Sequence, residues 1–118
     1  MHTIAVYGSL KKGKYNHSFL SDMKMIGTTT VRGTLYKVSS YPALVDEGEN
    51  EYEAEVYEVD DYIYYMINRM EIGAGYKEVE INMAKEFTDG LEYPVIVYYA
   101  DERLAERCKE KYEVIESY

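Results

Sequence analysis

The 118 residues of this chain lie within the usual size range of one domain, and we expect residues 1–118 to form a single domain. Thirteen basic and 22 acidic residues give a formal net charge of −9, which disfavours binding to nucleic acid or to an anionic membrane surface. The apolar stretches are too short to cross a bilayer and no signal peptide is visible. The single cysteine cannot form an internal disulfide, so a cytoplasmic protein is predicted.

The first half of the chain is predicted to contain short strands separated by turns. An apolar run over residues 3–7 ends at Gly8, as expected of a buried strand that enters a turn. A short helix is predicted over residues 16–23. β-branched residues are frequent over residues 25–30, and strands are predicted at 33–38 and 53–59. Tyr41 and Pro42 mark a bend between these last two strands.

The second half contains the clearest helical pattern. Asp60 or Asp61 can cap the helix, and Gly73 and Gly75 can end it. Between them a single apolar stripe recurs at helical spacing: Ile63, Met66, Ile67 and Met70. Two strands and a final helix follow, at residues 79–83, 93–99 and 101–112. This order of elements predicts an α+β protein with a mixed sheet or a small barrel.

Two local features could support chemistry. Tyr7, Gly8, Ser9 and Leu10, hereafter the 7–10 turn, follow a strand directly, and successive amide groups in such a turn can hold an anion. Glu71 falls at the end of the helix that begins near Asp60. Apolar neighbours and the helix C-terminus both disfavour its charged form, so its pKa is expected to rise toward the range useful to a general base. An ordinary strand-end turn and a solvated glutamate are the plain alternatives.

No metal or cofactor is predicted. His2 and His17 have no suitably spaced Cys, His or Asp partners, and no His–Asp pair is suggested near Ser9. Cys108 lies on the apolar side of the last predicted helix and is expected in the core. The lysines at positions 11, 12 and 14 form a local exception to the acidic composition and are expected in a solvated turn.

One motif and several shorter segments occur in an order that resembles a known family. Residues 6–17 read VYGSLKKGKYNH, which is similar to the signature Tyr-Gly-Ser/Thr-Leu-Lys-x-Gly-x-x-Asn-His. The later segments are GTLY at 33–36, YPALV at 41–45, EAEVYEV at 53–59, INRME at 67–71 and VIVYY at 95–99. Together they resemble the γ-glutamylcyclotransferase-like superfamily, and most closely its γ-glutamylamine cyclotransferase and avirulence-induced-gene-2-like branch. Asn68 stands where that branch usually has aspartate, and Ile72 where it usually has glycine.

The resemblance implies a small mixed β-barrel flanked by short helices, with a cavity at one end. It implies that the 7–10 turn binds the α-carboxylate of a γ-glutamyl group through backbone donors and that Glu71 is the acid/base. Tyr7, Tyr76 and Tyr98 are expected to line the cavity. The implied reaction is cofactor-independent: the α-amine of the substrate attacks its own γ-carbonyl and releases 5-oxoproline with a free amine or amino acid.

Two other functions stay open. The same cavity could belong to a non-catalytic module that binds a small amino-acid-like ligand, or the acidic surface could belong to a protein-interaction domain. The sequence leaves open both the leaving group of the γ-glutamyl substrate and the oligomeric state.

Overall fold

A computed structural model describes residues 1–14, 16–83 and 93–118. Tyr15, part of the opening motif, lies outside the described residues, as do residues 84–92. The strands within these ranges are β1 (His2–Val6), β2 (Lys24–Val38), β3 (Tyr41–Val59), β4 (Tyr76–Met83), β5 (Tyr93–Ala100) and β6 (Glu113–Val114). The α-helices within them are α1 (Asp61–Gly73) and α2 (Glu102–Lys111).

The described strands form one mixed sheet in the order β4-β5-β1-β3-β2-β6, and this sheet curls into a half-barrel. β1 runs parallel to β5, where Ile4 pairs with Ile96, and antiparallel to β3, where Ile4 pairs with Tyr57. The other described strand pairs are antiparallel. The prediction of an α+β fold with a mixed, barrel-like sheet and short helices is therefore confirmed.

β2 and β3 form one long hairpin of 15 and 19 residues, where the sequence pattern predicts shorter, separate strands. The ladder continues through a register shift between Gly33 and Thr34. Gly33 adopts a φ of 150°, and a Cβ atom at this position would collide with the carbonyl oxygen of Val45. Only glycine fits this bulge, which lets the two strands bend together without losing their pairing.

The turn of this hairpin lies at Ser39 and Ser40, so the bend predicted at Tyr41 and Pro42 is wrong by two residues. Ser39 adopts a left-handed conformation with a φ of 57°, which is the backbone geometry that a tight two-residue hairpin turn uses. Pro42 consequently lies in β3, where it pairs with Lys37.

The short helix predicted over residues 16–23 is wrong in type and length. The described backbone forms a 3-10 helix over His17–Leu20 only. Hydrogen bonds from Asn16 and His17 to the 7–10 turn hold the start of this segment, and a stretch this short has little helical stability of its own.

α1 begins at the predicted cap: the Asp60 carboxylate accepts a hydrogen bond from the Ile63 amide at 2.8 Å. Ile67 is fully buried, whereas Met66 is 36% exposed, so the prediction that Met66 belongs to the buried stripe is wrong. The inward face runs through Ile63, Ile67 and Met70, which pack on the core. The helix ends before Gly75, which adopts a φ of 100°.

Both faces of β1 are buried, which explains its continuous apolar run. Ile4 and Val6 pack on the helix side of the sheet with Ile67 of α1 and Cys108 of α2. Ala5 and Tyr7 belong to a second cluster, which consists of residues of the sheet and of the segments next to it. The prediction that Cys108 lies in the core is confirmed.

The described residues contain neither a helix that could span a membrane nor a cluster arranged to hold a metal ion. Neither α1 nor α2 combines the length and apolar character needed to cross a membrane. No group of three or more His, Cys, Asp or Glu side chains in the described ranges is arranged to hold a metal ion.

Candidate active site

A cavity of about 540 Å³ lies where the carboxyl end of β1 meets the C-terminal end of α1. The structure brings every residue that the sequence predicts for a site to this cavity: Tyr7, Gly8, Ser9, Leu10, Glu71, Tyr76 and Tyr98. These residues come from one turn, one helix and two strands, so the cavity exists only because the sheet and α1 pack together.

Asn16 and His17 form hydrogen bonds with carbonyl and side-chain groups of the 7–10 turn. The Asn16 amide donates to the Ser9 carbonyl at 2.7 Å, and its side chain donates to the Ser9 hydroxyl at 3.0 Å. His17 Nδ1 donates to the Leu10 carbonyl at 3.0 Å. Within residues 1–14, 16–83 and 93–118, the amide N–H groups of Ser9 and Leu10 have no hydrogen-bond partner. The turn therefore has two backbone donors available at the cavity wall.

Gly8 is packed directly against the opposite strand. A Cβ atom at this position would lie 2.9 Å from Pro42 Cγ and 3.2 Å from its Cδ. The backbone of the turn can approach Pro42 this closely only because residue 8 has no side chain. Close contact with Pro42 therefore requires glycine at position 8. The sequence pattern suggests a second reason for glycine here, which is access of a ligand to the backbone.

Glu71 is half-buried at the cavity wall, one helical turn after the fully buried Ile67. No hydrogen-bond donor or cation among the described residues contacts its carboxylate. Burial raises the pKa of Glu71 from 4.5 to about 7. The sequence suggests two causes for a raised pKa of Glu71, apolar neighbours and the helix C-terminus. The structure supports the first of them. A carboxyl group with this pKa can both accept and donate a proton near neutral pH.

The hydroxyl groups of Tyr7, Tyr76 and Tyr98 each donate a hydrogen bond to another residue of the protein. Tyr7 donates to the Tyr98 carbonyl at 2.6 Å, and its hydroxyl oxygen accepts from the Leu44 amide at 3.2 Å. Tyr76 donates to the Pro42 carbonyl at 2.6 Å. Tyr98 donates to Asn68 Oδ1 at 2.9 Å. These hydroxyls therefore join β1, β3, β4, β5 and α1 around the cavity.

The same tyrosines stay protonated near neutral pH. Burial raises the pKa of Tyr7, Tyr76 and Tyr98, and the nearby charge of Glu71 acts in the same direction on each. None of them can therefore serve as a base at neutral pH, and Glu71 is the group of this set whose pKa lies in the working range.

Several wall residues were not predicted as site residues. They are Ala5, Val6, Asn16, Ser40, Tyr41, Pro42, Met70, Ala74 and Tyr118. Asn16 could have been found from its place in the opening motif. No local pattern marks Ser40 or Tyr118, because their position at the cavity depends on the β2–β3 turn and on pairing between distant segments.

Comparison with known proteins finds a family model that matches nearly the whole chain and curated relatives that match part of it. The family model described as "Gamma-glutamyl cyclotransferase, AIG2-like" matches residues 4–117. The chain is 40% identical over 79 residues to a Pyrococcus horikoshii protein named "Putative gamma-glutamylcyclotransferase PH0828", covering 67% of each. It is 35% identical over 72 residues to a Vibrio cholerae protein named "Putative gamma-glutamylcyclotransferase", covering 59% of this chain and 62% of that one.

Solved structures agree with the fold. The crystal structure of the Pyrococcus horikoshii protein PH0828 superposes with a TM-score of 0.69 at 33% identity, over 85% of this chain and 78% of that one. An AIG2-like protein from Mus musculus gives a TM-score of 0.78 at 24% identity, over 100% of this chain and 88% of that one, and supports the fold alone. With the family model matched over residues 4–117, this chain belongs to the gamma-glutamyl cyclotransferase, AIG2-like family.

Proposed function

We propose that this chain is a γ-glutamylcyclotransferase-type enzyme that converts a γ-glutamyl conjugate into 5-oxoproline and a free amine or amino acid. The observation that carries the proposal is the composition of the cavity. A half-buried carboxyl group with a pKa of about 7 lines the same space as Ser9 and Leu10, whose amide N–H groups have no hydrogen-bond partner among the described residues. These are the two functions that ring closure needs, proton transfer and an anchor for the substrate's α-carboxylate.

The proposed reaction needs only the substrate and one protein acid/base. The Glu71 carboxylate takes a proton from the α-ammonium group of the substrate, which frees the nitrogen lone pair. The nitrogen attacks the γ-carbonyl carbon, and a new C–N bond closes the five-membered lactam. The bond from that carbon to the leaving nitrogen breaks as Glu71 returns the proton to that nitrogen. The ring nitrogen gives up its second proton through the Glu71 carboxylate to the released amine, which leaves as an ammonium ion. Products are 5-oxoproline and the free amine.

The 7–10 turn supplies geometry in this proposal. Its Ser9 and Leu10 amides, which bond to no other described residue, would hold the α-carboxylate, so that the flexible γ-glutamyl chain is bent into its ring-closing shape. Such positioning can lower a barrier by several kcal/mol without any reactive side chain. Backbone donors near the γ-carbonyl would also stabilise the oxyanion that forms during attack.

Replacing the acid/base tests the proposal. Glu71→Gln preserves the size of the side chain and removes the ionisable group, so we expect 5-oxoproline release from γ-glutamyl-lysine or glutathione to fall by about 10²–10⁴-fold. Glu110→Gln, on the exposed face of α2, is the matched control and should keep the parent rate. Release at the parent rate by Glu71→Gln would refute the assignment.

A ligand-binding measurement separates the enzyme from the binding-module alternative. Thermal shift with the same conjugates should increase the melting temperature of both the parent chain and Glu71→Gln, because the 7–10 turn is intact in both. A shift by the parent chain without any 5-oxoproline, across the conjugates tested, would instead favour a non-catalytic module on the same fold.

A further inference from the structure

Tyr118 lies at the cavity although its segment is distant in sequence from the 7–10 turn and from α1. β6 pairs antiparallel with β2, where Val114 lies opposite Tyr36. The Ile115 amide then donates to the Leu35 carbonyl at 2.8 Å. These contacts hold residues 113–115 alongside β2 in a direction that leads away from the β2–β3 turn. The chain bends at Glu116, and the Tyr118 side chain reaches back to that turn.

The ring of Tyr118 is held at two points of the cavity rim. Its hydroxyl donates to the Ser40 carbonyl at 2.8 Å, which fixes it to the hairpin turn. The Lys14 ammonium lies 5.1 Å from the centre of its ring, a cation–π distance, which links it to the loop that follows the 7–10 turn. The ring therefore spans the rim between two separate elements, and its position is set before any ligand arrives.

The cavity offers more room than a γ-glutamyl group fills. Its volume of about 540 Å³ falls within the range of roughly 300–1,000 Å³ typical of pockets for drug-sized ligands. The γ-glutamyl portion is much smaller than such a ligand, and in the proposed function it occupies the space between Glu71 and the 7–10 turn. The cavity wall as a whole is mostly apolar. Its remaining part includes Tyr41, Pro42, Met70 and Tyr118 together with the polar Asn16 and Ser40.

We propose that Tyr118 is a specificity-determining residue whose ring contacts the leaving group of the substrate. It favours γ-glutamyl conjugates whose amine carries an extended apolar or aromatic portion over conjugates of small amines. This inference rests on the proposed function, because it assumes that the γ-glutamyl end is bound between Glu71 and the 7–10 turn. A flat ring that is held by its hydroxyl and by a lysine over one face gives such a portion a preformed contact surface.

Two conjugates that differ only in the leaving group test the inference: γ-glutamylbenzylamine and γ-glutamylmethylamine. For each protein, kcat/KM for 5-oxoproline release and the dissociation constant are measured with both conjugates. The ratio of each quantity between the two conjugates is then compared among the proteins. We expect the parent chain to prefer the benzylamine conjugate and Tyr118→Ala to reduce that preference about ten-fold. Tyr118→Phe, which keeps the ring and loses the hydroxyl, should retain most of the preference.

Tyr62→Ala is the matched control, since Tyr62 is a tyrosine 69% exposed on α1 and outside the cavity wall. It should keep the parent ratio. No preference in the parent chain, or the same ratio in Tyr118→Ala and the parent, overturns the inference. If the parent releases 5-oxoproline from neither conjugate, nor from γ-glutamyl-lysine or glutathione, the proposed function fails on its own. The ratio of the dissociation constants of the two conjugates then tests the inference. The same ratio in Tyr118→Ala and in the parent would mean that Tyr118 does not contact the amine portion.

Discussion

Glu71 follows the fully buried Ile67 by one turn on the same face of α1, so the face that packs on the core continues into the cavity. A carboxyl group in that position has lost much of its water without gaining a donor from the described residues. The consequence is the raised pKa of Glu71, which links the packing of α1 to the chemistry proposed for the cavity.

The pH dependence of turnover should report this pKa. The proposed base acts only when ionised, so kcat/KM for 5-oxoproline release should fall about ten-fold per unit as the pH drops below about 7. A pH–rate profile of the parent chain with one γ-glutamyl conjugate measures it. An acid limb centred near 4.5, the ordinary value for glutamate, would contradict a carboxyl group whose pKa is raised by burial.

Stability should depend on the same group. Its pKa in the folded chain, about 7, is raised above the ordinary 4.5, so the folded state binds the proton more tightly than the unfolded state. The stability associated with Glu71 is therefore fully present below pH 4.5 and is lost as the pH rises through about 7. Glutamine carries no charge and avoids this loss.

Glu71→Gln should consequently be more stable than the parent chain at about pH 8, with the difference in unfolding free energy larger than at about pH 4 by on the order of 2–3 kcal/mol. Urea unfolding of both proteins at the two pH values measures this difference. A difference that stays constant with pH would mean that the carboxyl group has its ordinary pKa in the folded chain.

Gly8 and Gly73 provide a matched pair for the contact between the 7–10 turn and Pro42. Gly8→Ala puts a methyl group 2.9 Å from Pro42 Cγ, and we expect a loss of about 1–3 kcal/mol in unfolding free energy. Gly73→Ala meets no atom within 4 Å at the end of α1 and should instead be neutral or stabilising by up to about 1 kcal/mol. Equal effects in chemical denaturation would rule out the steric explanation.

Removing the Tyr7 hydroxyl should cost more than removing that of Tyr98. Tyr7→Phe leaves the buried Leu44 amide without its acceptor and the Tyr98 carbonyl without its donor, an expected loss of about 1–3 kcal/mol. Tyr98→Phe breaks one bond to the half-buried Asn68, where water can replace the hydroxyl, with an expected loss of about 1 kcal/mol. Thermal unfolding of the two variants tests the order, which a reversed ranking would overturn.

Much of the local structure could be predicted from short-range patterns. Asp60 at the start of α1 and Gly75 after its end carry their own conformational preferences, so the bounds of that helix follow from them. The predicted strands at 79–83 and 93–99 lie within β4 and β5. The predictions of secondary structure are wrong where contacts between distant segments decide the structure. The β2–β3 ladder joins strands that were predicted as separate. Contacts to the 7–10 turn reduce the predicted helix to the 3-10 helix His17–Leu20.

The sequence alone determined the candidate turn, the candidate acid/base and the family resemblance, because each depends on residue types at short spacing. Only the tertiary structure decided that Glu71 is half-buried at the same cavity as the 7–10 turn, and that Tyr118 completes the rim. Periodicity fixes which way a side chain leaves its own helix or strand. The residues that it meets depend on the register and curl of the whole sheet, which are set by contacts between segments far apart in the chain.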